Sequence, residues 1–229
     1  MGPTGGYFRQ LLAGRDVAGD DPLARQMVNY VYALGDPATR QALLVDPAYA
    51  PTELLAALAE DEMELCGVVL THYHSDHAGG DLVGWHVAGI AELLELVEVP
   101  VHVQRAELDW VTRTTGVARS SFAAHEPGDV VELGESCVTL LHTPGHTPGS
   151  QCVLADGRLV SGDTLFLNGC GRTDLPGGDP VALQASLAGL AALPASTVVF
   201  PGHAYDPAPS ASIGELNRTN PVLRQQVSR

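Results

Sequence analysis

Thr71-His72-Tyr73-His74-Ser75-Asp76-His77 follows directly on the apolar run Gly67-Val68-Val69-Leu70, and this junction decides how the rest of the chain is read. A short apolar run of this kind predicts a buried strand. The four metal-capable side chains of the pattern H-x-H-x-D-H therefore stand at a strand exit. Neutral imidazoles beside a carboxylate suit zinc, iron or manganese. A site that keeps one coordination position open does chemistry on a bound water or substrate. The bland alternative is solvated loop histidines. Nine His occur in 229 residues, and finding three of them with an Asp in so short a run argues against that alternative.

Composition bounds what surrounds this junction. The chain is 45% hydrophobic and 17% charged, enough for one full core, and a single domain over residues 1–229 is expected. Residues 1–24, with their Gly, Asp and Pro, are expected to be a loose N-terminal segment. The net charge is −15, and all twelve basic residues are Arg. An acidic surface opposes phosphate backbones and anionic lipid, so neither nucleic acid nor membrane is expected as a partner. The lack of Lys excludes Schiff-base and P-loop lysine chemistry. Cys66, Cys137, Cys152 and Cys170 show no C-x-x-C spacing, which points to reduced thiols and a cytoplasmic setting. No basic-then-apolar leader opens the sequence, and no apolar run approaches the roughly 18–20 residues of a membrane span.

Alternating signals fill the space around the histidine run. Met27–Leu34 reads as a strand closed by a Gly35-Asp36-Pro37 turn, and 42–45 as its antiparallel partner. Helical signals occupy 52–58. Ala78-Gly79-Gly80 is expected to open a turn leading into a helix; Ile90, Leu93, Leu94 and Val97 stand at helical spacing over 90–96, within a helix-forming insert that spans Trp85 to Val97. Further on, 99–103 reads as a strand and 105–111 as a helix; 130–133 and 137–141 are strands. A hairpin joins 150–154 to 158–161 around Ala155-Asp156-Gly157. Residues 179–193 form a helix with Pro180 in its first turn, and 197–200 the last strand. Hairpins interleaved with helices imply a mixed α/β architecture with helices covering sheets.

Three later strand ends each present one ligand-type side chain: His146 in Thr143-Pro144-Gly145-His146, Asp163 after Val160-Ser161-Gly162, and His203 after Phe200-Pro201-Gly202. Taken singly, His146 reads as a structural histidine and Asp163 as a turn residue. Together with His72, His74, Asp76 and His77 they make seven donors, enough for two ions about 3.5–4 Å apart, the arrangement used for metal-assisted hydrolysis. Aspartate suits a bridging role because its two oxygens reach both ions.

These motifs resemble the metallo-β-lactamase superfamily, over nearly the whole span from Met27 to His203. The resemblance implies a four-layer αββα sandwich with metals at one rim between two sheets. It places His72, His74 and His146 in one site, Asp76, His77 and His203 in a second, and Asp163 between them. His86, His102 and His125 match no motif of the family. His142, four residues before His146, is a candidate for orienting a ligand.

Gly162-Asp163-Thr164-Leu165-Phe166 with Gly169-Cys170-Gly171-Arg172-Thr173-Asp174 resembles the branch that holds glyoxalase II and the persulfide dioxygenases. That likeness implies a metal-dependent hydrolase of a small thiol-linked thioester. Asp76 would be the catalytic carboxylate that orients the nucleophile and accepts its proton, on two divalent ions, zinc with iron or manganese as alternatives. The second implied activity is a persulfide dioxygenase with a single Fe(II) on His72, His146 and Asp163. A third reading is a non-catalytic metal-binding protein. The family pattern puts Cys170 near the substrate, and Arg172 and Asp174 are the other candidate substrate-binding residues. Arg172 has the planar fork that clamps a carboxylate, with an ion pair to Asp174 as the equal structural alternative. The insert at 85–97 caps the pocket, builds a homodimer contact or simply packs on the core, the last being favoured.

Overall fold

Asp21 and Pro22 open the first helix of the computed structural model, which describes residues 6–227. Asp21 Oδ1 accepts from the backbone N–H groups of Leu23 and Ala24, and Pro22 supplies the first helical φ. This helix corrects the expectation of a loose 1–24 segment. Before it lies strand β1 (Tyr7–Leu12), and the helix itself is α1 (Pro22–Met27). Residues 1–5 of that expected segment lie outside the described residues. Met27 ends the helix, and the strand expected from there starts three residues later, as β2 (Tyr30–Asp36), running through the predicted turn to Asp36. Then come β3 (Gln41–Val45), α2 (Pro51–Glu60), β4 (Glu64–Val69) and the four-residue α3 (Ser75–Ala78).

The segment after α3 corrects the expectation of a helix led by Ala78-Gly79-Gly80 and of a helix-forming insert from Trp85. Gly80–Leu82 (β5) and Trp85–Val87 (β6) form a hairpin, and the helix is Ile90–Leu96 (α4), where the apolar spacing lies. Val83 and Gly84 at the hairpin tip both have positive φ, as a two-residue turn that matches strand twist demands. Ile90 and Leu93 of α4 are fully buried, so the apolar face of the expected insert packs on the core.

The chain continues through β7 (Val101–Gln104), a turn of 3-10 helix at Arg105–Glu107, α5 (Leu108–Thr115), β8 (Phe122–His125), β9 (Val130–Leu133) and β10 (Ser136–His142). The predicted hairpin follows as β11 (Gln151–Ala155) and β12 (Arg158–Gly162), then the short pair β13 (Leu165–Phe166) and β14 (Gly169–Cys170). The last part holds α6 (Pro180–Ala191), β15 (Val198–Pro201), β16 (Ala211–Ser212), α7 (Ile213–Thr219) and α8 (Pro221–Val227).

The strands make two six-stranded sheets, ordered β1-β2-β3-β4-β7-β8 and β16-β15-β12-β11-β10-β9. Their inner faces meet through Tyr32, Leu43, Val45 and Val69 on one side and Val131, Leu140, Val153 and Val160 on the other. The outer face of the first sheet is covered by α2 with Leu54 and Leu58 and by α4 and α5 with Leu93 and Val111. That of the second is covered by α6, α7 and α8 through Leu187, Leu216 and Leu223. The result is a four-layer αββα sandwich.

Strand direction places the functional loops. In the second sheet β10 is antiparallel to β11, β11 antiparallel to β12, and β12 parallel to β15. So β10, β12 and β15 run the same way, and the residues after them emerge at one end. In the first sheet β3 and β4 are parallel while β2 is antiparallel to β3. The start of β2 and the ends of β3 and β4 therefore share one end. Backbone bonds from Gln151 N to Thr71 O (2.9 Å) and from Tyr30 N to Gly202 O (2.8 Å) tie the two ends together. Open α/β architectures put their sites at such carboxyl ends of strands.

Candidate metal centre

All seven donor side chains expected to act together converge at this rim. His72 Nε2 and His146 Nε2 each lie 3.0 Å from His74 Nδ1, which makes one three-nitrogen group. A second group is formed by Asp76, His77 and His203: His77 Nε2 is 3.2 Å from His203 Nε2, and Asp76 Oδ2 lies 3.5 Å from the first and 3.4 Å from the second. Asp163 stands between the groups. Its Oδ1 is 3.4 Å from His77 Nε2, and its Oδ2 is 3.4 Å from His203 Nε2 and 3.8 Å from His146 Nε2.

Two glycines permit this crowding. A Cβ at Gly162, whose φ is +48°, would sit 2.5 Å from Thr71 Oγ1, and one at Gly202 would collide with Asp163 Oδ1. Hence the Gly-Asp and Gly-His pairs at the strand ends: the backbone must approach where the next side chain reaches inward.

The outer nitrogens of four histidines are held by acceptors, which decides what their inner nitrogens offer. His146 Nδ1 donates to Arg172 O (2.7 Å), His203 Nδ1 to Met27 O (2.7 Å) and His77 Nδ1 to Asp46 Oδ2 (2.9 Å). Thr71 spends its one hydroxyl proton on Asp46 Oδ2 (2.6 Å), so its oxygen accepts from His72 Nδ1 at 3.0 Å. In its neutral form each of these rings thus turns a lone pair at Nε2 inward, and the carboxylates around His77 and His203 favour a proton there when no cation is present. Lone pairs facing one another at such distances repel unless positive charge lies between them.

Two further observations show the same need for positive charge. Asp163 Oδ1 is buried with no hydrogen-bond partner among the described residues. Burial alone would push His77 down, yet Asp76, Asp163 and Asp46 more than reverse it and push the imidazole up to about 10. His203 is raised by Asp163 in the same way against its burial. His72 is lowered well below its ordinary value, and His74 to about 4, by burial and by neighbouring imidazoles. Unprotonated nitrogens in one group and acid-held imidazoles in the other suit a pair of divalent cations.

The three residues expected near the substrate lie apart from the donors. Arg172 makes a two-pronged ion pair with Asp174, both bonds 2.7 Å and both side chains largely exposed. It is the main-chain oxygen of Arg172 that touches the centre, through His146. Cys170 is half-buried on β14 against the α6–α8 core, and burial raises its thiol. His142 bonds Pro148 O at 2.9 Å, so it steadies the loop that carries His146. His86 pairs with Glu92, and His102 with His125, away from the centre.

Sequence reasoning missed three supporting residues. Asp46 binds Thr71 N, Thr71 Oγ1 and His77 Nδ1. Asn29 donates to Asp76 Oδ2 at 3.1 Å and has Tyr49 OH on its own oxygen. Glu107 takes three hydrogen bonds, which work against a burial that pushes its carboxyl up to about 7. Asp46-Pro47 after a strand carried a usable signal, since it matches the strand-end placement of Asp163. Asn29 and Glu107 carried none.

Residues 25–203 match the family described as the metallo-beta-lactamase superfamily. A hydroxyacylglutathione hydrolase of Alkalilimnicola ehrlichii is 38% identical over 202 residues, which is 87% of this chain and 70% of that enzyme. Among solved structures, ETHE1 from Myxococcus xanthus superposes with a TM-score of 0.76 at 33% identity, covering 96% of this chain and 87% of that one. TTHA1623, solved in a di-iron-bound form, gives a TM-score of 0.69 at 31% identity, covering 85% and 95%.

Proposed function

The chain belongs to the metallo-β-lactamase superfamily, and from that premise we propose that it is a metal-dependent hydrolase of the hydroxyacylglutathione hydrolase type, cleaving a thioester of a small thiol. We read residues 1–229 as one catalytic unit. The observation that carries the proposal is the pairing of two complete donor groups with Asp163 spanning them. His72, His74 and His146 would hold one divalent ion, and Asp76, His77 and His203 the other. Zinc fits the donor set, with iron or manganese as alternatives. Two such ions supply a water of near-neutral pKa and polarise a carbonyl oxygen.

The protein's own residues then do the positioning. Asn29 holds Asp76 Oδ2, which leaves Asp76 Oδ1 to orient the attacking water and take its proton. Asp46, Met27 O and Arg172 O keep the protons of His77, His203 and His146 on their outer nitrogens. Arg172, exposed beside Cys170 and Asp174, is assigned to a carboxylate of the thiol portion, exchanging its bond to Asp174 for the substrate. Four free cysteines accord with a reducing cytoplasm. No helix among the described residues is long and apolar enough to cross a membrane. Exposed Val83 and Trp85 on the β5–β6 hairpin are assigned to a homodimer contact, tested by sedimentation of Trp85→Glu.

The likeness to ETHE1 supports a second reading, a persulfide dioxygenase using one Fe(II) on His72, His146 and Asp163. That reading leaves Asp76, His77 and His203 without a use, although each has its own outer hydrogen bond. Metal analysis with parallel assays separates the two. The hydrolase holds about two ions per chain and cleaves S-lactoylglutathione without oxygen. One iron per chain with O₂ uptake on glutathione persulfide, and no thioester cleavage, overturns the proposal.

A further inference from the structure

We propose that Glu107 is a positioning residue that ties the two loops of the three-histidine group together, so that His72, His74 and His146 hold their geometry through one buried carboxylate outside the donor set. The proposal rests on the metal-binding reading above. Glu107 ends the 3-10 turn between β7 and α5 and is 1% exposed. Its Oε1 accepts from Tyr73 N (2.8 Å) and Thr147 Oγ1 (2.7 Å), and its Oε2 from Gly149 N (2.6 Å). Tyr73 lies between His72 and His74; Thr147 follows His146. One carboxylate thus grips the backbone of the first loop and two points of the second.

The arrangement is costly, which argues for a use. Burying a carboxylate without a counter-ion is unfavourable by several kcal/mol in general, and no Arg or His among the described residues forms an ion pair with Glu107. Three neutral donors satisfy it instead. The second loop is built to receive it: a Cβ at Gly149 would lie 2.5 Å from Glu107 Cβ, so only Gly admits the contact. Within that loop Thr147 and Ser150 bond each other. The loop is therefore internally stiff, and Glu107 is the side chain that fixes it against the His72–His77 loop. Asp76, His77 and His203 take their outer bonds from Asn29, Asp46 and Met27 O, with no part for Glu107.

This separation makes the role testable without turnover. The full chain is saturated with Co²⁺, and loss of each ion to excess chelator is followed by visible absorption. His146→Ala and His203→Ala assign the two release phases. Glu107→Gln keeps the Oε1 acceptor and sets an NH₂ against Gly149 N–H. It should speed release from the three-histidine group about 10–100-fold, with the other phase unchanged. Thr147→Val, lacking one of the three donors, should move the same phase by a smaller factor. Unchanged phases in both variants, or equal acceleration of both phases, overturn the proposal; the second result marks Glu107 as general structural support. If Glu107→Gln does not fold, Thr147→Val decides by the same criteria. A parent chain that takes up no Co²⁺ refutes the metal reading itself, a result distinct from either.

Discussion

Replacing Asp46 by Asn removes one charge and keeps the shape of a residue that is 3% exposed. The carboxylate accepts from Thr71 N at 2.7 Å, Thr71 Oγ1 at 2.6 Å and His77 Nδ1 at 2.9 Å. An Asn retains the first bond through its carbonyl. Its NH₂ group then stands where Oδ2 was, facing two donors. The Thr71 hydroxyl can rotate to accept, which recovers one contact. Hydrogen bonds to charged groups contribute about 1.5–3 kcal/mol each, so the net loss is about 2–4 kcal/mol. At about 2–4 °C per kcal/mol for a chain of this size, Tm falls by about 5–15 °C. The effect on the centre is more specific. An NH₂ donating to His77 Nδ1 reverses the ring's tautomer and puts the proton on Nε2, which faces Asp163 and His203. The Asp76–His77–His203 group then loses a donor, and its metal affinity falls about 10–100-fold while the three-histidine group keeps its ion. Calorimetry of metal-loaded protein and competition with a chromophoric chelator measure the two effects. An Asp46→Asn protein that melts within about 2 °C of the parent and holds both ions as tightly would refute this account of the hydrogen bonds.

Further outcomes follow from the same geometry. Metal-free protein should be most stable near pH 6.5, the ordinary value for histidine. His77, raised to about 10, contributes stability below 6.5 that is lost as pH rises through 10; Glu107, raised to about 7, adds a smaller loss between 4.5 and 7. His74 and His102, both lowered to about 4, and His72, lowered well below its ordinary value, contribute stability above 6.5 that is lost as pH falls. Thermal melts from pH 5 to 10 that rise monotonically would contradict this assignment. Metal removal by chelator should lower Tm, since ions at 100 times their Kd stabilise by about 2.7 kcal/mol per site; an unchanged melt would mean the donors hold nothing. Arg172→Ala should raise KM for an acidic thioester with little change in kcat, because its side chain lies outside the donor groups; a kcat collapse at unchanged KM would disprove the assignment. Leu140→Ala, emptying a fully buried site between the sheets, should cost about 2–5 kcal/mol and leave activity per folded molecule intact.

Much of the architecture was legible because its signals are local. The Gly67–Leu70 run, the Ala155-Asp156-Gly157 turn and the Pro180 helix start each dictate conformation within a few residues, and each element forms where expected. Errors arose where two local readings compete or where pairing supplies the order. The apolar spacing over 90–96 does form a helix, but the insert that extends it back to Trp85 does not continue it, because the Val83-Gly84 turn captures that first part as a strand of a hairpin. Tyr7–Leu12 has little patterning of its own and becomes a strand by pairing with β2 along its whole length. At Asp21-Pro22 the two local readings are a helix start and a loop, since Gly, Asp and Pro suit both, and the Asp21 cap decides for the helix.

The donor set was likewise written in the sequence, because each donor follows a strand or sits in the H-x-H-x-D-H run. What holds the donors was not, apart from Asp46 at its strand end. Asn29 and Glu107 carry no such signal, and each of the three acts on a residue 25 to 47 positions away. Residue order along the chain settles which side chains are able to bind metal and that each leaves a strand. Their meeting depends on the fold: β10, β12 and β15 must run in one direction, and the two sheets must face each other with the same end up. Those are properties of strand pairing over long separations, and no window of neighbouring residues contains them.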